Sequence, residues 1–260
     1  WNEQDKTWEG ADAQFSPEEY AAMNSANRDG HCNTMTGGSG TFGVKNADPN
    51  MKLVMAGVYN PDIQFLTRMN MWCIQNRADA TFSSDVINVH EYAWKDGNSA
   101  YGGGPALSPE EADFEGTLSK IVEFRDQYLD PDVEVWISEF GWDTDPASAL
   151  CPPVISGNDF QETQGQWLVR SFMAFAAAGV DRAIQFMMRD ANPAYPATQF
   201  STSGLVTQKG EWTPKKSWYY VYTLKNTLAD MRFIGKVSTG NANVCAYKFK
   251  NVNNNSGAIG

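Results

Sequence analysis

The stretch Val133-Glu134-Val135-Trp136-Ile137-Ser138-Glu139-Phe140-Gly141-Trp142 decides the fold class that we expect. Side chains at every second position of a strand share a face, so Val135, Ile137 and Glu139 lie together. An apolar row that ends on a carboxylate, followed by a glycine, is typical of a barrel strand that carries a charged group to the C-terminal mouth. The alternative is an edge-strand Glu139 paired with a neighbouring Lys or Arg. We predict a buried strand over 133–139.

Composition limits the class of protein. A chain of 260 residues is long enough for about one large domain with a substantial core. Hydrophobic residues make up 42% and charged residues 20%, which is typical of a globular rather than a disordered chain. The formal net charge of −11 argues against nucleic acid and anionic membranes as partners, because both attract clustered Lys and Arg. No apolar run approaches the roughly 20 residues of a membrane span.

The cysteines and histidines argue against a metal site. Cys32, Cys73, Cys151 and Cys245 are widely spaced and form no CxxC pair, so a zinc ribbon is not expected. With two His in the whole chain, a histidine-rich metal site is not expected either. We therefore predict no metal and no cofactor. Whether any two cysteines pair stays open at this point.

Strand and helix signals alternate over about the first 230 residues. Buried strands are predicted at 52–57, 85–90, 133–139 and 182–187. Helices are predicted to begin near Ser16, Pro61, Ser108, Phe160 and Pro214. A helix on every crossover implies a parallel sheet wrapped by helices. The segments Arg232–Lys236 and Val244–Phe249 break this pattern, and their alternation predicts the first strands of a β-rich domain.

Three motifs carry a resemblance to a known superfamily. Asn2-Glu3, His90-Glu91-Tyr92 and Ser138-Glu139-Phe140-Gly141-Trp142 resemble the 4/7 superfamily (clan A) of retaining β-glycosidases, in particular its xylosidase/iduronidase-like branch. The resemblance implies an α/β fold, a TIM (β/α)8 barrel with one glutamate at the end of strand 4 and another at the end of strand 7. Residues 1–231 then correspond to strands 4–8 of the barrel, without strands 1–3. Residues 232–260 correspond to the start of a β-sandwich accessory domain.

The same resemblance implies roles for the motif residues. Glu139 is expected to be the nucleophile and Glu3 the acid/base of a double displacement that cleaves β-glycosidic bonds with retention, the two carboxyl groups standing about 5–5.5 Å apart. Asn2 is expected to contact the 2-hydroxyl of the sugar. His90 or Tyr92 is expected to donate hydrogen bonds to Glu139.

The substrate expected from the resemblance is an oligosaccharide or polysaccharide. Trp94 and Trp142 are expected to offer flat faces to sugar rings, although core packing is the alternative for both. The superfamily often carries a Trp at the end of strand 8, where this chain has Met187-Met188-Arg189-Asp190. An extracytoplasmic location is expected by analogy with polymer-degrading relatives, and the chain contains no signal peptide.

Other readings of the sequence stay open. The chain is alternatively a non-catalytic carbohydrate-binding protein on a degenerate barrel, or an unrelated α/β hydrolase or structural barrel. A serine hydrolase is disfavoured because the chain has no G-x-S-x-G elbow. Glu91 is a third carboxylate that would compete for the nucleophile's role. Without strands 1–3 the isolated chain would expose sheet edges, so we expect it to be unstable.

Overall fold

The computed structural model describes residues 2–37, 40–95, 105–155 and 157–253, together with the backbone of 257–259. The glycine run 102–104, whose composition favours a flexible loop, lies outside the described residues. The helices are α1 Pro17–Asn33, α2 Val44–Ala47, α3 Ile63–Asn76, α4 Phe114–Tyr128, α5 Phe160–Ala178 and α6 Lys216–Thr227, with a 3-10 turn at Ala11–Ala13. Among the described residues, none of these helices combines the length and apolarity needed to cross a bilayer.

Eight strands form three small sheets in the described part of the chain. The strands are β1 Thr36–Gly37, β2 Gly40–Thr41, β3 Val86–His90, β4 Glu134–Glu139, β5 Arg182–Ala183, β6 Met231–Lys236, β7 Tyr247–Asn251 and β8 Gly257–Ile259. The sheet that matters for the site has the order β3-β4-β5, and its strands are joined through α4 and α5. The sheet β6-β7-β8 is antiparallel.

The chain divides into two compact units. Unit 1 comprises residues 1–91, 119–138 and 180–182. Its helices α1 and α3 pack together, and β3 is buried along its whole length. The fully buried core side chains of this unit include Tyr20, Met55, Leu66, Met69, Ile87, Ile121, Val135 and Ile137.

Unit 2 comprises residues 92–118, 139–179 and 183–260. Helices α5 and α6 pack against each other here. The core is an aromatic cluster in which the Phe114 and Phe175 rings stack at 5.6 Å between centroids. Phe140 meets Phe175 edge-on at 4.8 Å, so the residue directly after Glu139 is anchored in this core.

The predicted helix starts are largely confirmed, because they depend on local capping chemistry. Ser16 forms a capping box with Glu19, and Pro17 occupies the first position of α1. Asp62 caps α3 through the N–H of Gln64, as expected from a start near Pro61. The capping contacts of Ser108 with Glu111 also form, although the helix itself begins only at Phe114.

Two of the predicted strands are shorter than expected. Residues 52–57 form no named strand and are held by parallel bridges from Val54 to Val86 and, just beyond them, from Val58 to Val89. The predicted strand 182–187 is reduced to β5, Arg182–Ala183. Ladder pairing depends on the neighbouring backbone, which the residue pattern alone does not supply.

The mixed α/β class and the strand over 133–139 are confirmed. Val135 and Ile137 are fully buried, whereas Glu134 and Trp136 on the opposite face are partly exposed. The assignment to barrel strands 4–8, the β-sandwich and the boundary between residues 231 and 232 stay predictions. The four cysteines are free thiols.

Candidate active site

His90, at the end of β3, is the centre of a cluster in unit 1. Its ring is buried and lies between two partners, with Nδ1 2.8 Å from Oε1 of Glu3 and Nε2 3.1 Å from Oγ of Ser138. We call Glu3, His90 and Ser138 the histidine cluster. The cluster joins the start of the chain to the ends of β3 and β4.

The protonation states of the histidine cluster are coupled. An ionised Glu3 only accepts hydrogen bonds, so Nδ1 of His90 must then carry a proton, and in the neutral ring Nε2 accepts the Ser138 hydroxyl. If Glu3 is instead protonated and donates a hydrogen bond to Nδ1, the neutral ring must carry its proton on Nε2 and donate a hydrogen bond to Ser138. A proton gained or lost by Glu3 therefore changes the hydrogen-bonding pattern of the whole cluster.

Glu3 and His90 are fixed in place by residue Gly57. The N–H of Glu3 donates to the carbonyl of Gly57 at 3.1 Å. A Cβ at position 57 would lie 2.1 Å from Nε2 of His90, so only glycine leaves room for the ring. Glu3 has φ 49°, a left-handed conformation that is uncommon outside glycine. Such conformations are concentrated at functional sites.

Tyr92 and Glu139 form the second arrangement, within unit 2. The Tyr92 hydroxyl donates to Oε2 of Glu139 at 3.0 Å. The Tyr92 ring is buried and packs against Phe200, with centroids 4.9 Å apart, and lies 6.1 Å from the Trp94 ring. We call Tyr92, Glu139 and Phe200 the tyrosine cluster. The structure thus pairs Tyr92, one of the two donors expected for Glu139, with that carboxylate, and it also places His90 against Glu3.

The expectation that Trp142 presents a face to a sugar ring is wrong. Trp142 is fully buried, and its indole N–H donates to the carbonyl of Leu107 at 3.0 Å. Its ring packs against Phe114 and Trp167 at centroid distances of 5.8 and 5.5 Å. The residue is a core side chain, because the chain after β4 turns into the aromatic cluster instead of remaining at the surface.

The remaining expected site residues lie nearer the surface. Trp94 is partly exposed beside Tyr92, so its ring retains a face for stacking. Asn2 is exposed and directly precedes Glu3. The structure leaves the expected contact of Asn2 with a sugar hydroxyl as a prediction.

Glu91 differs from the other two glutamates in its environment. Burial raises the pKa of its carboxyl group from 4.5 to about 8, because desolvation penalises the charged form. Tyr59 lies close enough to feel the charges of both Glu3 and Glu91, and burial together with those charges raises its pKa. A nucleophile must be ionised to attack, so Glu91 is a poor candidate for that role at neutral pH.

Sequence reasoning missed three residues that build these clusters. Ser138 and Phe200 contact His90 and Tyr92, respectively, and Gly57 makes room for the His90 ring. Alternation did place Ser138 on the face opposite Ile137, but it gave no partner. The other two are brought in across long stretches of sequence, for which the residue pattern has no signal.

Comparison with known proteins supports the fold. Neither a protein-family model nor a curated protein matches the chain. A family 39 glycoside hydrolase from the gut symbiont Bacteroides cellulosilyticus WH2 is 16% identical with a TM-score of 0.52, over 80% of this chain and 42% of that one. The family 39 enzyme from Xanthomonas axonopodis pv. citri is 12% identical with a TM-score of 0.57, over 95% and 44%. The chain shares the fold of glycoside hydrolases.

A third solved structure agrees with these two. The monomeric β-xylosidase from Caulobacter crescentus CB15 is 14% identical with a TM-score of 0.54, over 96% of this chain and 45% of that one. The chain therefore spans less than half the length of these solved structures. At such identities the likeness establishes the fold, whereas activity must be argued from the residues.

Proposed function

We propose that the chain carries the catalytic residues of a retaining glycoside hydrolase that cleaves β-glycosidic bonds in oligosaccharides or polysaccharides. Glu139 is the nucleophile and Glu3 the acid/base. The observation that carries the proposal is that each glutamate named from the sequence is hydrogen-bonded by a residue of the same His90-Glu91-Tyr92 motif, Glu3 with His90 at 2.8 Å and Glu139 with Tyr92 at 3.0 Å. The likeness to family 39 and xylosidase structures supports it.

The proposed reaction has two steps. In the first, a Glu139 oxygen forms a bond to the anomeric carbon as the bond to the leaving oxygen breaks, and Glu3 gives that oxygen its proton. In the second, Glu3 takes a proton from water, the water oxygen attacks the anomeric carbon, and the Glu139 carboxylate leaves. Two inversions retain the β configuration.

The surrounding residues have distinct tasks in this scheme. The Tyr92 hydroxyl favours the ionised state of Glu139, since a hydrogen bond to a carboxylate stabilises the charge. His90 and Ser138 orient Glu3 and adjust to its protonation state, as the coupled hydrogen bonds require. Trp94 offers an aromatic face to a sugar, and Asn2 contacts its 2-hydroxyl.

The finer structural assignment belongs to the same proposal. Residues 1–231 correspond to strands 4–8 of a (β/α)8 barrel, and residues 232–260 to the first strands of a β-sandwich. An extracytoplasmic location follows the same analogy. The xylosidase/iduronidase-like branch agrees with the β-xylosidase and family 39 likenesses, which support the fold only.

Nucleophile rescue tests the proposal. The chain is assayed within a full-length version of the protein on a panel of aryl β-glycosides, and we expect turnover that is abolished by Glu139→Gln. With Glu139→Gly, added azide replaces the carboxylate and gives an α-glycosyl azide, whereas Glu3→Ala with azide gives the β product because the nucleophile is intact. Glu91→Gln is the control and should keep turnover.

Each other outcome has a defined meaning. If azide restores turnover in Glu91→Gly and not in Glu139→Gly, Glu91 is the nucleophile. Polysaccharide binding without turnover on any glycoside would make the chain a carbohydrate-binding protein instead.

A further inference from the structure

Phe200 has a backbone conformation that phenylalanine rarely adopts. Its φ of 65° lies in the left-handed region, where a side chain with a Cβ is strained. Strained residues persist only where the surrounding structure imposes the conformation, and they are concentrated at functional sites. The contacts of Phe200 therefore indicate what the strain achieves.

The Asp143 carboxylate holds the backbone on both sides of this residue. Oδ2 accepts the N–H of Phe200 at 3.0 Å, and Oδ1 accepts the N–H of Thr202 at 2.9 Å. Asp143 is fully buried, and the Ser148 hydroxyl also donates to it. We call this arrangement the Asp143 clamp.

A second charged residue extends the clamp. The Thr202 carbonyl accepts a hydrogen bond from Nζ of the buried Lys215 at 2.7 Å. The same ammonium group bonds to Oδ1 of Asp190 at 2.9 Å, and that oxygen also accepts the N–H of Gly204. The segment around Phe200 is thus fixed by two buried carboxylates and one buried ammonium group.

The clamp places the Phe200 ring between two other aromatic side chains. The ring lies 4.9 Å from Tyr92 and 5.5 Å, edge-on, from Phe186. Tyr92 has two side-chain torsions, so a ring packed against it limits where its hydroxyl oxygen lies. Its 3.0 Å hydrogen bond to Glu139 is lost if that oxygen moves by more than a few tenths of an ångström.

We propose that Phe200 is a positioning residue, which the Asp143 clamp holds so that its ring keeps the Tyr92 hydroxyl on Glu139. The inference rests on the proposed function, because the position of Tyr92 affects a reaction only if Glu139 reacts. Core filling alone does not account for the arrangement, since an apolar ring can be delivered to a core from an unstrained backbone.

Two substitutions at one position separate positioning from stability. Phe200→Ala and Phe200→Gly both remove the ring, but alanine keeps the strained φ whereas glycine adopts it freely. We expect the unfolding midpoint of the glycine variant to be the higher of the two. We also expect both variants to lose turnover equally, about tenfold, and to move the acidic limb of the kcat/KM profile equally to higher pH, because Glu139 loses the same donor.

A double substitution completes the kinetic test. In a Tyr92→Phe background, where the hydroxyl is absent, Phe200→Ala is expected to cause no further loss of kcat/KM. The inference is overturned if the glycine variant is clearly more active than the alanine variant, or if the losses from Tyr92 and Phe200 multiply.

A measurement without turnover distinguishes failure of this inference from failure of the proposed function. Absence of glycoside cleavage by the unmodified chain refutes the function only. Tyrosine labelled with 13C at Cζ then reports on the contact, with Tyr92→Phe identifying the signal. We expect Glu139→Gln to change the chemical shift of Tyr92 when Phe200 is present but not in the Phe200→Ala chain. If Glu139→Gln changes that chemical shift by the same amount in both chains, the inference is contradicted.

Discussion

Replacement of Gly57 by alanine tests the geometry of the histidine cluster most directly. The new Cβ would lie 2.1 Å from Nε2 and 2.4 Å from Cδ2 of His90. Ordinary van der Waals contact begins at 3.4 Å, so the ring must move by about 1.3 Å. A displacement of that size breaks the hydrogen bonds of 2.8 Å to Glu3 and 3.1 Å to Ser138.

The expected energetic effect of Gly57→Ala has two parts. Overpacking a tight interior site costs about 1–3 kcal/mol, and leaving a buried polar group without its partner costs about 1–3 kcal/mol. Because His90 partly relaxes, we expect the free energy of unfolding to fall by roughly 2–4 kcal/mol. That is a large part of the 5–15 kcal/mol typical of native proteins, so the variant should still be folded but weakened.

Urea unfolding followed by tryptophan fluorescence measures this change, and turnover on an aryl β-glycoside measures its effect on Glu3. The matched control introduces Gly57→Ala into His90→Ala, where the absent ring leaves space for the methyl group. We expect the substitution to be neutral or stabilising there. A Gly57→Ala variant with unchanged stability and turnover would refute the placement of His90 against Gly57.

Three further predictions concern the side chain of Tyr92, the side chain of Glu91, and the pair Trp142 and Trp94. Tyr92→Phe removes the donor to Glu139, a hydrogen bond to a charged group worth about 1.5–3 kcal/mol, so kcat/KM should fall at least tenfold and its acidic limb should move to higher pH. Glu91→Gln should stabilise the fold at pH 9 but not at pH 4. The pKa of Glu91 is about 8 in the native state and 4.5 ordinarily, so the unsubstituted chain loses stability as the pH rises from 4.5 to 8. At roughly 1.4 kcal/mol per pKa unit, the loss is at most about 5 kcal/mol. Trp142→Ala should cost about 3–5 kcal/mol of stability, whereas Trp94→Ala should weaken substrate binding and leave stability nearly unchanged.

Each of these has a measurement that contradicts it. If the pH profile of kcat/KM is the same in Tyr92→Phe, the Tyr92 hydroxyl does not stabilise the charge of Glu139. Equal thermal shifts for Glu91→Gln at pH 4 and pH 9 would show that the carboxyl is not desolvated. If Trp142→Ala melts normally but binds glycosides more weakly, Trp142 contacts the sugar and is not a core side chain.

The sequence predicted best those features that depend on neighbours in the chain. The start of α5 at Phe160 agrees with the prediction, and Gly179 ends the helix with φ 87°. The capping box at Ser16 is also found as expected. These features are set by hydrogen bonds within a few residues, which a sequence displays directly.

The predictions that failed depend on residues distant in the chain. Trp142 was expected to offer a flat face to a sugar ring, but Phe114 and Trp167, which lie on helices α4 and α5, pack against it. The motifs named His90 or Tyr92 as a donor to Glu139, and the structure pairs Tyr92 with it, but the contacts of His90 with Glu3 and Ser138 were not predicted. Alternation sets the face of a strand residue, but the partner across the sheet depends on register.

The anchoring of the chain immediately after Glu139 has a consequence for how ligands are accommodated. Phe140 and Trp142 are both fully buried in the aromatic core, which leaves the backbone of the glutamate little freedom. Preorganisation of this kind reduces the conformational entropy surrendered when a ligand is bound. Under the proposed function, selectivity among sugars should consequently reside in the more adaptable segments near Glu139, while its carboxylate keeps the same position whichever sugar binds.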